Sequence, residues 1–175
     1  MDILLVSYRP NGRLRCARRY DGPAYGGDWA TRMATDPAGN VYIAGWSESR
    51  TGSDGLVLKY VRSGKRLWAR RYNGTVGGDD WLRSLRLRPA GGIYAAGSTT
   101  GGHTGRNGLL TAYNAAGKRL FVTEEVGPGT KRSRSSSAIS RYWPAAMSSA
   151  WERKTREAWT ASTPSTAGRG SCAAG

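Results

Sequence analysis

The sequence contains no run of about 18 apolar residues, so nothing in it reads as a membrane-spanning helix. It has two cysteines, Cys16 and Cys172, whose spacing fits no metal or redox motif, and they read as two unrelated thiols. It has one histidine, His103, in the glycine-rich stretch TTGGHTGRNG. With no second histidine and no neighbouring cysteine, His103 is expected to be a solvated loop residue, neither metal ligand nor acid–base group. No serine stands in a nucleophile-elbow pattern, and there is no phosphate-binding loop. The opening MDILLVSY has neither the basic segment nor the apolar length of a secretory signal. These gaps argue against an enzyme: no catalytic residue, no metal ligand and no cofactor is expected, and localisation stays open.

What is present points to strands. The chain has 175 residues, a one-domain length, with 25 glycines, 7 tryptophans, 9 tyrosines and a single phenylalanine. Glycine-rich turns between short Tyr, Trp, Val and Ile segments imply an all-β protein. The formal net charge is +15, and it is spread widely: residues 1–123 hold 19 Lys/Arg against 8 Asp/Glu. Such a surface attracts nucleic acid and anionic membranes without specificity. The excess is mostly arginine, which a GC-rich coding sequence also produces, and no nucleic-acid-binding signature accompanies it.

A repeat organises the chain. Aligning residues from Asp2 with those from Asp54 matches Tyr8 to Tyr60, Gly12 to Gly64, Tyr20 to Tyr72, Trp29 to Trp81, Tyr42 to Tyr94 and Gly45 to Gly97, each pair 52 apart. A third copy starts at Asn107, where Tyr113 and Gly117 follow Tyr60 and Gly64 by 53. One unit contains four strand-like segments: Trp29–Thr35, Val41–Gly45, Gly55–Tyr60 and Arg66–Tyr72. The turn DPAGN separates the first two, because Pro presets φ while Gly and Asn tolerate φ > 0. A period near 50 with four strands is that of a β-propeller blade, with the aromatic residues expected between blades. In the fourth segment Leu67, Ala69 and Arg71 should share one face, and Trp68, Arg70 and Tyr72 the other.

These residues resemble a known repeat. The motifs Asp-x-x-Gly-Asn-Val-Tyr-x-x-Gly, Asp-Gly-Leu-x-x-x-Tyr and Gly-x-x-Leu-Trp are similar to the bacterial β-propeller repeat SBBP and the related delta-60 repeat, from Asp2 to about Gly129. Gly92 stands where Asn is usual, and Asn107 where Asp is. The resemblance implies part of a large bacterial protein, often secreted or at the cell surface, acting as a non-catalytic scaffold or binding module. Its partners would be protein or carbohydrate, reached through propeller loops. SGKRLW also resembles the Trp-containing turn of quinoprotein-like propellers, so an enzyme or assembly factor of that class is the alternative; a basic nucleic-acid-binding module is the second.

Residues 1–128 are thus expected to form about two and a half four-stranded blades, a fragment of a longer chain that self-associates through open blade edges. The acidic turns GGDW (Gly26–Trp29) and GGDDW (Gly77–Trp81) raise calcium ligation by Asp28, Asp79 and Asp80. They lack the alternating acidic run of dedicated calcium loops, so capping of backbone N–H groups is the expectation. Asp54 and Asn107 are expected to cap the start of the third strand.

Repeat character stops near residue 128, and residues 129–175 read as a disordered, Ser/Ala/Arg-rich tail. Codons built across the junctions of neighbouring residues restore it. Tyr142–Trp143 gives Leu, Trp143–Pro144 gives Ala, and the next junctions allow Gly-Gly-Asn-Val. Trp151–Glu152 is forced to Gly and Trp159–Thr160 to Asp, each at the repeat's spacing. The tail is therefore read as a further blade translated out of frame, and Trp143, Trp151 and Trp159 are assigned no role.

Overall fold

The computed structural model describes residues 1–126; the expected tail over 129–175, Cys172 included, lies outside them. The described residues form an all-β partial propeller. Strands β1 (Ile3–Tyr8) and β2 (Leu14–Tyr20) pair as a hairpin. Strands β3 (Asp28–Thr35), β4 (Val41–Ser49), β5 (Gly52–Tyr60) and β6 (Arg66–Tyr72) form one antiparallel four-stranded meander. Strands β7 (Trp81–Leu87), β8 (Ile93–Thr100), β9 (Arg106–Tyr113) and β10 (Arg119–Glu125) form the next. This is the expected half blade followed by two blades. The four strands of the repeat unit fall where the sequence put them, with β3 one residue longer at its start and β4 and β5 extended through the Gly/Ser loop.

Burial explains why two tolerable-looking alternations pack so tightly. Successive side chains of a strand point to opposite faces. In the first complete blade both faces are covered, so β4 and β5 are buried nearly throughout. Tyr42, Ala44, Val57, Trp68 and Tyr72 face the second blade, meeting Leu82, Leu85, Ile93, Ala95, Leu109 and Tyr113. Ile43, Leu56, Leu58 and Tyr60 face the other way, onto Ile3 and Tyr20 of the half blade. Trp68 and Tyr72 share their face as the sequence required, while Leu67 on the opposite face is 49 % exposed. The far face of the second blade has no cover among the described residues, and Phe121 of β10 is exposed there beside Tyr94.

Polar bonds fix the spacing of the blades and repeat with the sequence. Arg18 Nε donates to the Gly64 carbonyl at 3.1 Å, and Arg70 Nε to the Gly117 carbonyl at 2.7 Å. Each arginine lies on the last strand of one blade, and each acceptor is the turn glycine of the next. Trp68 Nε1 and Lys59 Nζ both reach the Ala115 carbonyl, at 3.2 and 2.8 Å. Inner strand β7 packs against β3, β4 and β5, and Thr31 Oγ1 donates across the junction to the Leu82 carbonyl at 2.7 Å.

The first strand of each blade carries a bulge at an equivalent place. The register shifts between Ala30 and Arg32 opposite Gly45 and Ala44, and between Leu82 and Ser84 opposite Gly97 and Ala96. At these two bulges the backbones come close enough that the residue facing the first bulge position must lack a side chain. A Cβ on Gly45 would lie 1.8 Å from the Trp29 carbonyl oxygen, and one on Gly97 1.7 Å from that of Trp81. That is why both repeat copies spell glycine there.

The core tyrosines make the fold alkali-sensitive. Burial pushes the phenol pKa up at Tyr20, Tyr60, Tyr72 and Tyr113. At Tyr72 the Glu124 carboxylate, which accepts its hydroxyl, pushes in the same direction. A phenol with a raised folded pKa contributes stability that is complete below the unfolded value of about 10 and is lost as pH climbs through the folded value. The urea midpoint is expected to fall as pH passes about 10, and to fall less steeply in Tyr72→Phe, measured by tryptophan fluorescence.

Candidate functional site

The blade end at which β3 and β7 begin gathers the polar and aromatic residues that the core does not use. Two acidic turns lie there. Asp28 is buried, and its Oδ2 accepts the Gly22 N–H at 2.8 Å. Asp80 is its copy in the next blade, and its Oδ2 accepts the Gly74 N–H at 2.6 Å. Asp80 Oδ1 also takes the Thr99 hydroxyl at 2.5 Å and the Thr100 N–H at 3.4 Å. Capping of backbone N–H groups is therefore what both turns do. Their own N–H groups stitch the blades: Asp28 N donates to the Met1 carbonyl and Asp80 N to the Ser53 carbonyl, both at 2.6 Å.

The calcium trio suggested by the sequence does not assemble. Asp28 and Asp80 occupy equivalent places in different blades. Asp79 Oδ1 accepts the Ser53 N–H at 3.2 Å, and Asp79 Oδ2 sits 3.7 Å from Arg106. The capping expected of Asp54 also needs correction. Strand β5 begins two residues before it, at Gly52, and Asp54 Oδ2 accepts Arg71 Nε at 2.9 Å inside the ladder. Asn107 is likewise a buried residue inside β9. The pairing of Asp54 with Arg71 recurs 52 residues earlier as Asp2 with Arg19, a diagonal relation set by the strand register, Arg71 facing Leu56 and Arg19 facing Leu4. His103 is exposed in a short 3-10 turn, Gly102–Thr104, and Cys16 is a buried residue of β2.

Beside the acidic turns runs a ladder of indoles. Trp29 and Trp46 are cross-strand partners on β3 and β4, stacked at 5.6 Å between ring centroids. Trp46 also meets Trp81 of the next blade at 5.8 Å, so the ladder crosses the junction. In the second blade Ser98 stands opposite Trp81, where the first blade has Trp46. Arg106 covers the vacated indole face, its guanidinium 3.7 Å from the Trp81 centroid, held by a bond to Ser98 Oγ at 3.1 Å. Arg83 is the residue that the β7 bulge lifts out of register. Its exposed guanidinium lies 4.8 Å from Trp81 and 6.0 Å from Trp46. Bulges of this kind re-aim a side chain, and cations over an indole face are held by the ring quadrupole. The sequence aligned Trp29 with Trp81, but nothing in it showed that Trp46 would bridge them or that Arg83 would fall on the ladder.

A shallow groove at the opposite blade end is lined by the two equivalent turns, Asp36–Ala38 and Arg88 to Gly92. Arg88 Nη1 is turned inward there onto the Gly91 carbonyl at 3.2 Å.

Residues 19–50 match the family model of the beta-propeller repeat SBBP. The matched segment runs from the end of β2 through β4 and includes Asp28, Trp29 and Trp46. The match and the two four-stranded sheets together identify a propeller-type repeat module. No curated protein matches the chain.

The capping role has a measurable consequence. Asp80→Ala removes the acceptor for two backbone N–H groups and one buried hydroxyl. It is expected to lower unfolding free energy by on the order of 3 kcal/mol in a urea titration.

Proposed function

We propose that this repeat module is a non-catalytic binding element, and that its ligand is a protein surface received at the blade end carrying the indole ladder. The observation that supports the reading is the combination of Trp29, Trp46 and Trp81 with Arg83 and Arg106 at one loop-bearing end. Tryptophan and arginine are the residues that carry most of the energy where proteins bind each other. The three indoles and Arg106 are half-buried in a rigid sheet, so little conformational entropy is lost when a partner covers them. The blade edges at either end of the stack offer a second, less specific mode, in which copies of the chain associate strand to strand.

The test is a peptide-display selection against the purified chain, run beside a glycan array and a double-stranded DNA titration. A selected peptide is expected to bind Trp46→Ala and Arg83→Ala at least about tenfold more weakly than the parent. Arg62→Ala, on the opposite blade end, should leave its affinity unchanged. Ligands found only on the glycan array would move the reading to carbohydrate. Salt-sensitive DNA binding that persists at physiological ionic strength would replace it with a nucleic-acid module.

We also propose that the coding frame shifts near residues 129–134, so that the segment after it has no role of its own. The support is that junction codons at Trp151 and Trp159 are forced to Gly and Asp at the repeat's spacing. The nucleotide sequence is expected to encode a further repeat in the shifted frame. A shifted frame that lacks those two residues would sink the proposal.

A further inference from the structure

The first repeat copy differs from the second in one respect that concerns ions. One carboxylate oxygen each from Asp2, Asp21 and Asp28 lies within 4.8 Å of the others. The three come from different segments: the residue before β1, the loop after β2 and the start of β3. Asp28 is 1 % exposed and its Oδ1 has no hydrogen-bond partner. Ser47 Oγ, on a fully buried residue of β4, has none either. These two atoms lie 2.8 and 2.4 Å from the point that a Cβ on Gly22 would occupy, so they converge on a spot left open by glycine. A buried carboxylate oxygen without a donor costs the desolvation of a charge and is seldom left so.

The second copy supplies an internal comparison. The residues 52 positions on are Asp54, Asn73 and Asp80. There an amide replaces the middle carboxylate, and Asp80 Oδ1 is satisfied by Thr99 and Thr100. The second copy therefore lacks the third carboxylate, and the buried oxygen it leaves without a partner is Oδ1 of Asp54, the equivalent of Asp2, not that of Asp80. Cations flank the trio, but none of them gives Asp28 Oδ1 a hydrogen bond. Arg19 is exposed and pairs with Asp2 and with Asp21. The Met1 amino group stands 3.8 Å from Asp2. Arg71 Nη1, buried and without a hydrogen-bond partner, lies 3.3 Å from the Gly22 spot, while its Nε is bonded to Asp54 and its Nη2 to the carbonyls of Ser47 and Glu48, so an ion there shares the spot with this guanidinium.

We propose that Asp2, Asp21 and Asp28 bind a divalent calcium ion. The donors are all oxygen, with no imidazole or thiolate, which selects a hard ion. Three carboxylates from three segments, completed by water, suit the variable geometry of calcium better than the strict octahedron of magnesium. The ion ties the start of β1, the β2–β3 loop and the start of β3 into one knot, and binds in competition with the Arg19 guanidinium.

Calorimetric titration of the full chain with calcium chloride, and separately with magnesium chloride, tests this. Calcium is expected to bind once per chain with Kd of about 10⁻⁴ to 10⁻³ M and to raise Tm. Asp21→Asn reproduces Asn73 at an exposed position and leaves the buried carboxylate in place. It is expected to weaken calcium binding about tenfold and to abolish most of the Tm rise, because ligand charge sets affinity at such sites. Arg19→Gln removes the competing cation and is expected to tighten binding severalfold. No calcium binding by the parent chain up to about 10 mM would overturn the proposal. So would binding that Asp21→Asn leaves unchanged, and magnesium binding tighter than calcium would overturn the choice of ion.

Discussion

Everything described rests on one four-stranded sheet packing face to face on the next. A blade has two apolar faces and cannot bury either by itself, so its stability is a property of its neighbours. The first complete blade shows the condition fulfilled: Leu56, Val57 and Leu58 are consecutive in β5, point alternately to two different cores, and are all fully buried. The second blade shows it half fulfilled, with Phe121 open on the face turned away from the first blade. At about 25 cal/mol per Å² of apolar surface, each such junction contributes far more than any single polar contact in the chain.

Polar groups then set the geometry that apolar packing leaves loose. Apolar contact alone lets sheets slide, whereas a guanidinium aimed at one carbonyl has a single good position. The bonds from Arg18 to Gly64 and from Arg70 to Gly117 repeat that position at successive junctions. The buried aspartates do the same at the blade end, gathering a loop N–H from one side while their own N–H groups reach the previous blade. Because these fixings bring the starts of β3 and β7 side by side, they also bring Trp46 onto Trp81 and Arg83 over both. The aromatic ladder and the carboxylate trio are thus by-products of the same junction that holds the blades at a constant spacing.

Small departures between repeat copies carry the individuality of the site. Ser98 in place of Trp46 leaves an indole face that Arg106 covers. The hydroxyl bond that Thr99 gives Asp80 is not made between Ser47 and Asp28 at the equivalent positions. Asn73 in place of Asp21 removes a charge. Each exchange conserves the sheet and alters only what the blade end presents, which is how a scaffold built from copies acquires a site that is not itself repeated.

Strand positions, blade count and the identity of the core aromatic residues were legible in the sequence, because they follow from local alternation, turn chemistry and a period of 52 residues. Even the capping role of Asp28 and Asp80 could be read from their turns. The pairing of Asp54 with Arg71 could not, since it depends on the register of β6 on β5, which puts Arg71 opposite Leu56 and within diagonal reach of Asp54. Nor could the indole ladder or the meeting of Asp2, Asp21 and Asp28. Periodicity states what one unit is and how often it recurs. Only the packing of one unit on the next decides which of its surface residues meet, because that depends on the angle and spacing between sheets, and no interval along the chain encodes them.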